Sequence, residues 1–144
     1  MLASTQCLIM GVKPSEIDFV YDTGTHHGVM GEKERFLLQE VTEDPVLLEG
    51  VGGHTSLSKE IGDSIFGKTR VLEGRRGAVL VSNYSTRNLY QVLNPDPDRI
   101  VLRGWDSNPE TRGKEYVFER DEELRRPSSA LHYVDQEGEK LRWS

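Results

Sequence analysis

Apolar residues run along the chain in short stretches broken by turn-forming residues, and most stretches are too short to make a helix. Residues 6–10 predict a first strand, followed by a turn over 11–15 that contains Pro14. Residues 17–21 predict a second, mostly apolar strand with Asp22 at its end. Residues 34–41 fit a further strand, or, at Phe36-Leu37-Leu38, the opening of a short helix. Pro45 starts an apolar run over 46–51 that is broken by Gly52-Gly53, and residues 55–61 then alternate polar and apolar as a returning hairpin arm does. Two more strands are predicted over 64–72 and 78–81, with a glycine-bounded turn at 74–77 between them. In residues 83–93 the apolar positions Leu89, Val92 and Leu93 have helical spacing, Asn83 or Ser85 can cap, and Pro95 and Pro97 end the segment.

Beyond that point the composition shifts. Residues 95–98 predict a rigid acidic turn, 99–105 a short strand, and 106–114 a polar loop. Residues 115–118 and 131–134 predict strands, and 135–138 a turn leading to Leu141-Arg142-Trp143. Many short strands with one short helix define an all-β class, and a barrel is the expected architecture.

The 144 residues suit one compact domain, with 35% hydrophobic residues and a formal charge of −6. Basic residues are scattered among acidic ones, with a local cluster only at Arg70, Arg75 and Arg76. Nucleic-acid affinity rests on clustered lysine and arginine, so this balance argues against a nucleic-acid partner. The single cysteine, Cys7, excludes an internal disulfide, and its apolar neighbours Leu8, Ile9 and Met10 suit a buried thiol. No window approaches the ~20 apolar residues of a membrane span, and no signal peptide is discerned, so the expectation is a soluble protein in a reducing, cytoplasmic compartment.

The segment that carries chemistry is Ile17-Asp18-Phe19-Val20-Tyr21-Asp22-Thr23-Gly24-Thr25. An apolar strand delivers a carboxylate into a turn, and Thr and Gly follow it. Two carboxylates sharing one proton can hydrolyse a peptide bond, one activating water while the other hydrogen-bonds the carbonyl. Gly24 lets the backbone approach closely, and Thr23 offers a hydroxyl. The bland alternative is an Asp that merely opens a turn between strands.

This segment resembles the active-site motif of retropepsins, the aspartic proteases of retroviruses and LTR retrotransposons. Two later features stand in the matching order. Residues 46–61, with Gly52-Gly53 near the middle, resemble the flap hairpin, so Gly50, Val51, Gly52, Gly53 and His54 are the expected substrate-covering residues. Val79-Leu80-Val81 followed by residues 83–93 resembles the apolar strand and short helix that come after the flap. Asn88-Leu89-Tyr90-Gln91-Val92 is similar to a stretch of the copia-like branch, which also carries histidines after the motif, as His26-His27 do here. The Gly-Arg-Asp or Gly-Arg-Asn triplet usual after the apolar pair does not occur.

The resemblance implies a closed-barrel protease domain over residues 1–103 and leaves 104–144 as a C-terminal strand or hairpin extension, a candidate dimerisation element. It implies Asp22 as catalytic residue, with Thr23, Gly24 and Thr25 in the active-site loop. The chain has one such motif, because Asp63-Ser64-Ile65 and Asp106-Ser107-Asn108 lack the glycine. Two carboxylates must then come from two chains on a twofold axis, which implies a homodimer. The terminal strands are expected to close it, with 2–5, 99–103 and 131–143 as candidates. The implied substrate is an extended polypeptide, a retroelement-type polyprotein, in the cytoplasm or within a virus-like particle. Neither cofactor nor metal is implied.

Rival chemistry is weaker. His26, His27 and His54 lack metal-site spacing. No Gly-x-Ser-x-Gly stretch occurs, and Gly50 to Gly53 lacks the Lys-Ser/Thr of a phosphate loop. The other functional class left open is a catalytically silent, protease-like module that dimerises or binds peptides.

Overall fold

The computed structural model describes residues 17–49, 53–120 and 131–134. Among the described residues nearly all secondary structure is β, in one ten-stranded sheet. The strands are β1 (Phe19–Asp22), β2 (Gly28–Gly31), β3 (Gln39–Glu49), β4 (Thr55–Ser64), β5 (Gly67–Leu72) and β6 (Val79–Ser82), then β7 (Tyr90–Asp96), β8 (Arg99–Gly104), β9 (Glu115–Arg120) and β10 (Leu131–Val134). A 3₁₀ helix, Glu32–Leu37, precedes β3, and a one-turn helix α1, Asn83–Thr86, follows β6. The predicted strands at 6–10 and 2–5 lie outside the described residues.

The sheet order is β3-β4-β5-β2-β6-β1-β10-β9-β8-β7. At its centre β6 threads between β1, to which it is parallel, and β2, to which it is antiparallel. Residues 23–27 connect β1 to β2 and so must pass the end of β6. Glycine makes this tight centre feasible: a Cβ at Gly28 would stand 2.7 Å from Thr69 Oγ1 and 2.9 Å from the Leu80 carbonyl oxygen. Residues after 103 supply β9 and β10, and β10 lies between β1 and β9.

Alternation decides which side chains enter the core. Phe19 and Tyr21 of β1 are buried, as are Val79 and Val81, which lie opposite them on β6. The core is strongly aromatic. Phe66, in the turn between β4 and β5, meets Phe19 at 5.5 Å, Tyr116 at 5.2 Å and Phe118 at 5.5 Å between ring centroids. Tyr90 of β7 donates from its hydroxyl to the Ile65 carbonyl at 2.6 Å. Strands distant in sheet order therefore meet across the core, so the sheet curls.

It does not close. Among the described residues β3 and β7 are free ends of the order, a correction to the closed barrel expected from sequence. Both ends are ill-suited to pairing. β3 contains Pro45, two register shifts and the acidic residues Glu40, Glu43, Asp44 and Glu49, while β7 contains Pro95 and a shift between Leu93 and Asp96. Prolines, bulges and charges are the usual means of blunting a sheet edge.

The helix expected over 83–93 is cut to Asn83–Thr86, and Tyr90–Asp96 is a strand. Leu89, Val92 and Leu93 satisfy either period over so short a run. Pairing of β7 with β8, together with burial of Tyr90, selects the strand. The alternative of a short helix at Phe36-Leu37 is realised as the 3₁₀ turn.

Candidate active site

Asp22 ends β1 directly opposite Ser82, the last residue of β6. Its carboxylate is half-buried, while Thr23 and Gly24 are exposed. The Gly24 N–H donates to Asp22 Oδ1 at 2.7 Å, which fixes the carboxylate against its own loop. A Cβ at Gly24 would sit 3.3 Å from that oxygen, closer than most such contacts, so glycine keeps the carboxylate's position open.

Ser82 holds this loop in place and was not singled out by sequence. Its hydroxyl, in a residue only 1% exposed, lies 2.7 Å from the Thr25 carbonyl and 3.1 Å from that of His26. The same oxygen accepts from the backbone N–H groups of Tyr84 and Ser85 at 3.1 and 3.3 Å. Ser82 is thus the N-cap of α1, a role expected at Asn83 or Ser85. Ser85 adds a hydrogen bond to the His26 carbonyl at 3.3 Å. A serine between an apolar triplet and a polar quartet is the signal that could have marked the cap; its bonds to the loop are too distant in sequence to read.

Further contacts brace the same corner. Tyr21 donates from its hydroxyl to Asn83 Oδ1. Burial, first of all, pushes the Tyr21 phenol above its ordinary pKa, although a hydrogen bond with Thr86 and the charge of Arg87 oppose this. His26 stacks on Tyr84 with ring centroids 4.7 Å apart and an interplanar angle of 20°. The Arg87 guanidinium lies 5.6 Å from the centre of the same ring. His27 is held below the usual imidazole range, mainly by burial and then by the nearby charges of Arg70 and His26. Among the described residues, Thr25 Oγ1 and His27 Nδ1 are buried with no hydrogen-bond partner.

The hairpin expected to be the flap exists as antiparallel β3 and β4, with Leu47 opposite Leu57 and both side chains exposed. Gly50, Val51 and Gly52 lie outside the described residues. Gly53 has φ +78°, which favours glycine, and His54 is exposed at the entry to β4. Among the described residues no hydrogen bond or ring contact joins Gly53 or His54 to the Asp22 loop. The hairpin root is anchored instead by Arg70 of β5, whose guanidinium donates to the Asp44 carbonyl at 2.8 Å and to Asp44 Oδ2 at 2.6 Å.

The structure therefore brings Asp22, Thr23, Gly24 and Thr25 together at one strand end, and sets Gly53 and His54 in a separate hairpin. Of the strands considered for a dimer contact, β8 and β10 are each paired on both sides within this sheet. Among the described residues no helix is long and apolar enough to cross a membrane, and no three metal-ligating side chains gather. No family model matches the chain, and neither the curated proteins nor the solved structures contain a match.

Proposed function

We propose that the chain is one subunit of a homodimeric aspartic endopeptidase in which Asp22 of each protomer supplies half of the catalytic pair. The observation that carries this reading is the setting of Asp22: a part-exposed carboxylate at the end of a central strand, held by the Gly24 N–H at 2.7 Å. One oxygen is thereby fixed and the other is left to face a second carboxylate. The order of elements agrees as well, with a hairpin (β3–β4), then an apolar strand (β6) and a short helix (α1) after the Asp22 loop.

The chemistry follows from two such carboxylates sharing one proton. The ionised carboxylate takes a proton from a water, whose oxygen adds to the scissile carbonyl carbon. The protonated carboxyl meanwhile gives its proton to the carbonyl oxygen. Collapse of the resulting gem-diol breaks the C–N bond: one of its hydroxyls gives its proton to the ionised carboxylate while the other carboxyl protonates the departing amine nitrogen, so the pair ends with the single shared proton it began with. Thr23 braces the two active-site loops, Gly24 and Thr25 line the floor of the cleft, and the β3–β4 hairpin, carrying Gly50 to His54, covers an extended polypeptide. A retroelement-type polyprotein is the substrate class that this reading favours.

The test compares the full chain with Asp22→Asn. Hydrolysis of a mixed peptide library, read by mass spectrometry, is abolished in the variant, while analytical ultracentrifugation gives the same dimer for both. Cleavage that survives the substitution, or a monomer at micromolar concentration, rejects the proposal.

A further inference from the structure

We infer that Tyr84, His26 and Arg87 form a recognition subsite beside the Asp22 loop that takes an acidic side chain of an extended peptide. This rests on the reading of Asp22 as a peptide-processing site, and it adds a substrate preference. His26 belongs to the Asp22 loop itself, and Tyr84 belongs to the turn that Ser82 ties to that loop. Both residues are exposed, as is Arg87. Imidazole and guanidinium both lie against one phenol ring, at 4.7 and 5.6 Å.

The state of Arg87 is what points to a ligand. Arg35, Arg70, Arg99, Arg103 and Arg120 each hold a carboxylate in this structure. Arg87 holds none among the described residues and lies over an aromatic ring instead. A guanidinium laid against a ring is partly ordered in advance, yet keeps N–H donors free for a planar, two-point bond to a carboxylate. Among the described residues Arg76 and Arg112 are also exposed and hold no carboxylate, so what sets Arg87 apart is the aromatic ring it lies over, beside the Asp22 loop. The ring and imidazole supply an apolar-faced wall for the stem of a glutamate, and Ser85 adds a hydroxyl at the rim.

The full chain carrying Asp22→Asn is presented with a positional octapeptide library, and retained peptides are sequenced. Acidic residues are enriched about three- to fivefold at one position, the range of an exposed charge pair. Arg87→Gln removes the enrichment, Arg87→Lys keeps part of it, and Tyr84→Ala weakens it. No retained peptides, no acidic enrichment, or enrichment unchanged by Arg87→Gln overturns the inference. Cleavage by the unsubstituted chain is read separately. Acidic selection without cleavage keeps the subsite and sinks the protease, whereas cleavage without acidic preference does the reverse.

Discussion

Replacing Ser82 with alanine removes one oxygen that serves two elements at once, and its consequences can be worked out from the structure. The first loss is the N-cap of α1: the Tyr84 and Ser85 N–H groups lose their acceptor at 3.1 and 3.3 Å. A cap of this kind is worth about 1 kcal/mol. The second loss is the hydroxyl's donation to the loop carbonyls of Thr25 and His26. One proton serves both, so they count as a single shared bond. His26 is exposed and its carbonyl can find water, but Thr25 is half-buried, and an orphaned acceptor there costs about 1–2 kcal/mol. With the site 1% exposed, water does not readily replace the hydroxyl. The sum is about 2–3 kcal/mol, which at about 4 °C per kcal/mol lowers Tm by about 8–12 °C. Urea titrations followed by tryptophan fluorescence measure the change directly, and the slope m stays constant because the folded surface is unaltered. Ser85→Ala is the control, since it deletes only the 3.3 Å bond to the His26 carbonyl and costs under about 1 kcal/mol. A loss below about 0.5 kcal/mol for Ser82→Ala, or equal losses for the two variants, refutes the assignment of Ser82 as the tie between loop and helix.

Other expectations follow from the packing and the charges. The Arg70 side chain is 6% exposed and that of Asp44 52%, so the two ends of their ion pair are unequal. Asp44→Ala leaves a buried guanidinium with only the residue 44 carbonyl as acceptor and costs about 2–3 kcal/mol, whereas Arg70→Met costs about 1 kcal/mol or less; equal losses in denaturant melts contradict this. Phe66→Ala empties the centre of the aromatic cluster and costs about 3–5 kcal/mol by calorimetry, and a loss under 1 kcal/mol counts against Phe66 as the contact that curls the sheet. His27 has its pKa lowered in the fold from an ordinary 6.5. Above that value both states are neutral there; below it the unfolded imidazole binds a proton that the folded one resists. Its contribution to stability is therefore intact above pH 6.5 and is lost as pH falls towards the folded pKa. His27→Gln flattens the Tm–pH curve on the acid side of pH 6.5, and an unchanged slope there contradicts the assignment. Tyr90 and Tyr116 have raised pKa values, chiefly through burial, so they protect the fold below pH 10 and weaken it as pH rises beyond that; a phenolate titration at 295 nm that shows every tyrosine ionising together near 10 disproves their burial.

Several elements were legible because their cause is local. The mostly apolar run over 17–21 and the apolar triplet before Ser82 predict β1 and β6 closely, and the hairpin arms on either side of Gly52-Gly53 appear as β3 and β4. β2 was missed, since Gly28-Val29-Met30-Gly31 carries no period: all four residues are buried, between β5 and β6. The stretch from Asn83 to Leu93 was misread as helix because its partner, β8, lies in a later segment that no local spacing reveals.

The Asp22 segment by itself determined that a carboxylate, a threonine and a glycine stand at the end of an apolar strand, because strand alternation and turn chemistry act over a few neighbouring residues. Which atoms hold that carboxylate's loop was decided only in the tertiary structure. Ser82, 57 residues from Thr25 along the chain, reaches the loop because β6 inserts between β1 and β2. The same insertion sets Tyr84 against His26, and distant burial around Phe66 curls the sheet that carries them. Local patterns encode an element's own bonding; which elements become neighbours depends on the burial that all of them achieve together.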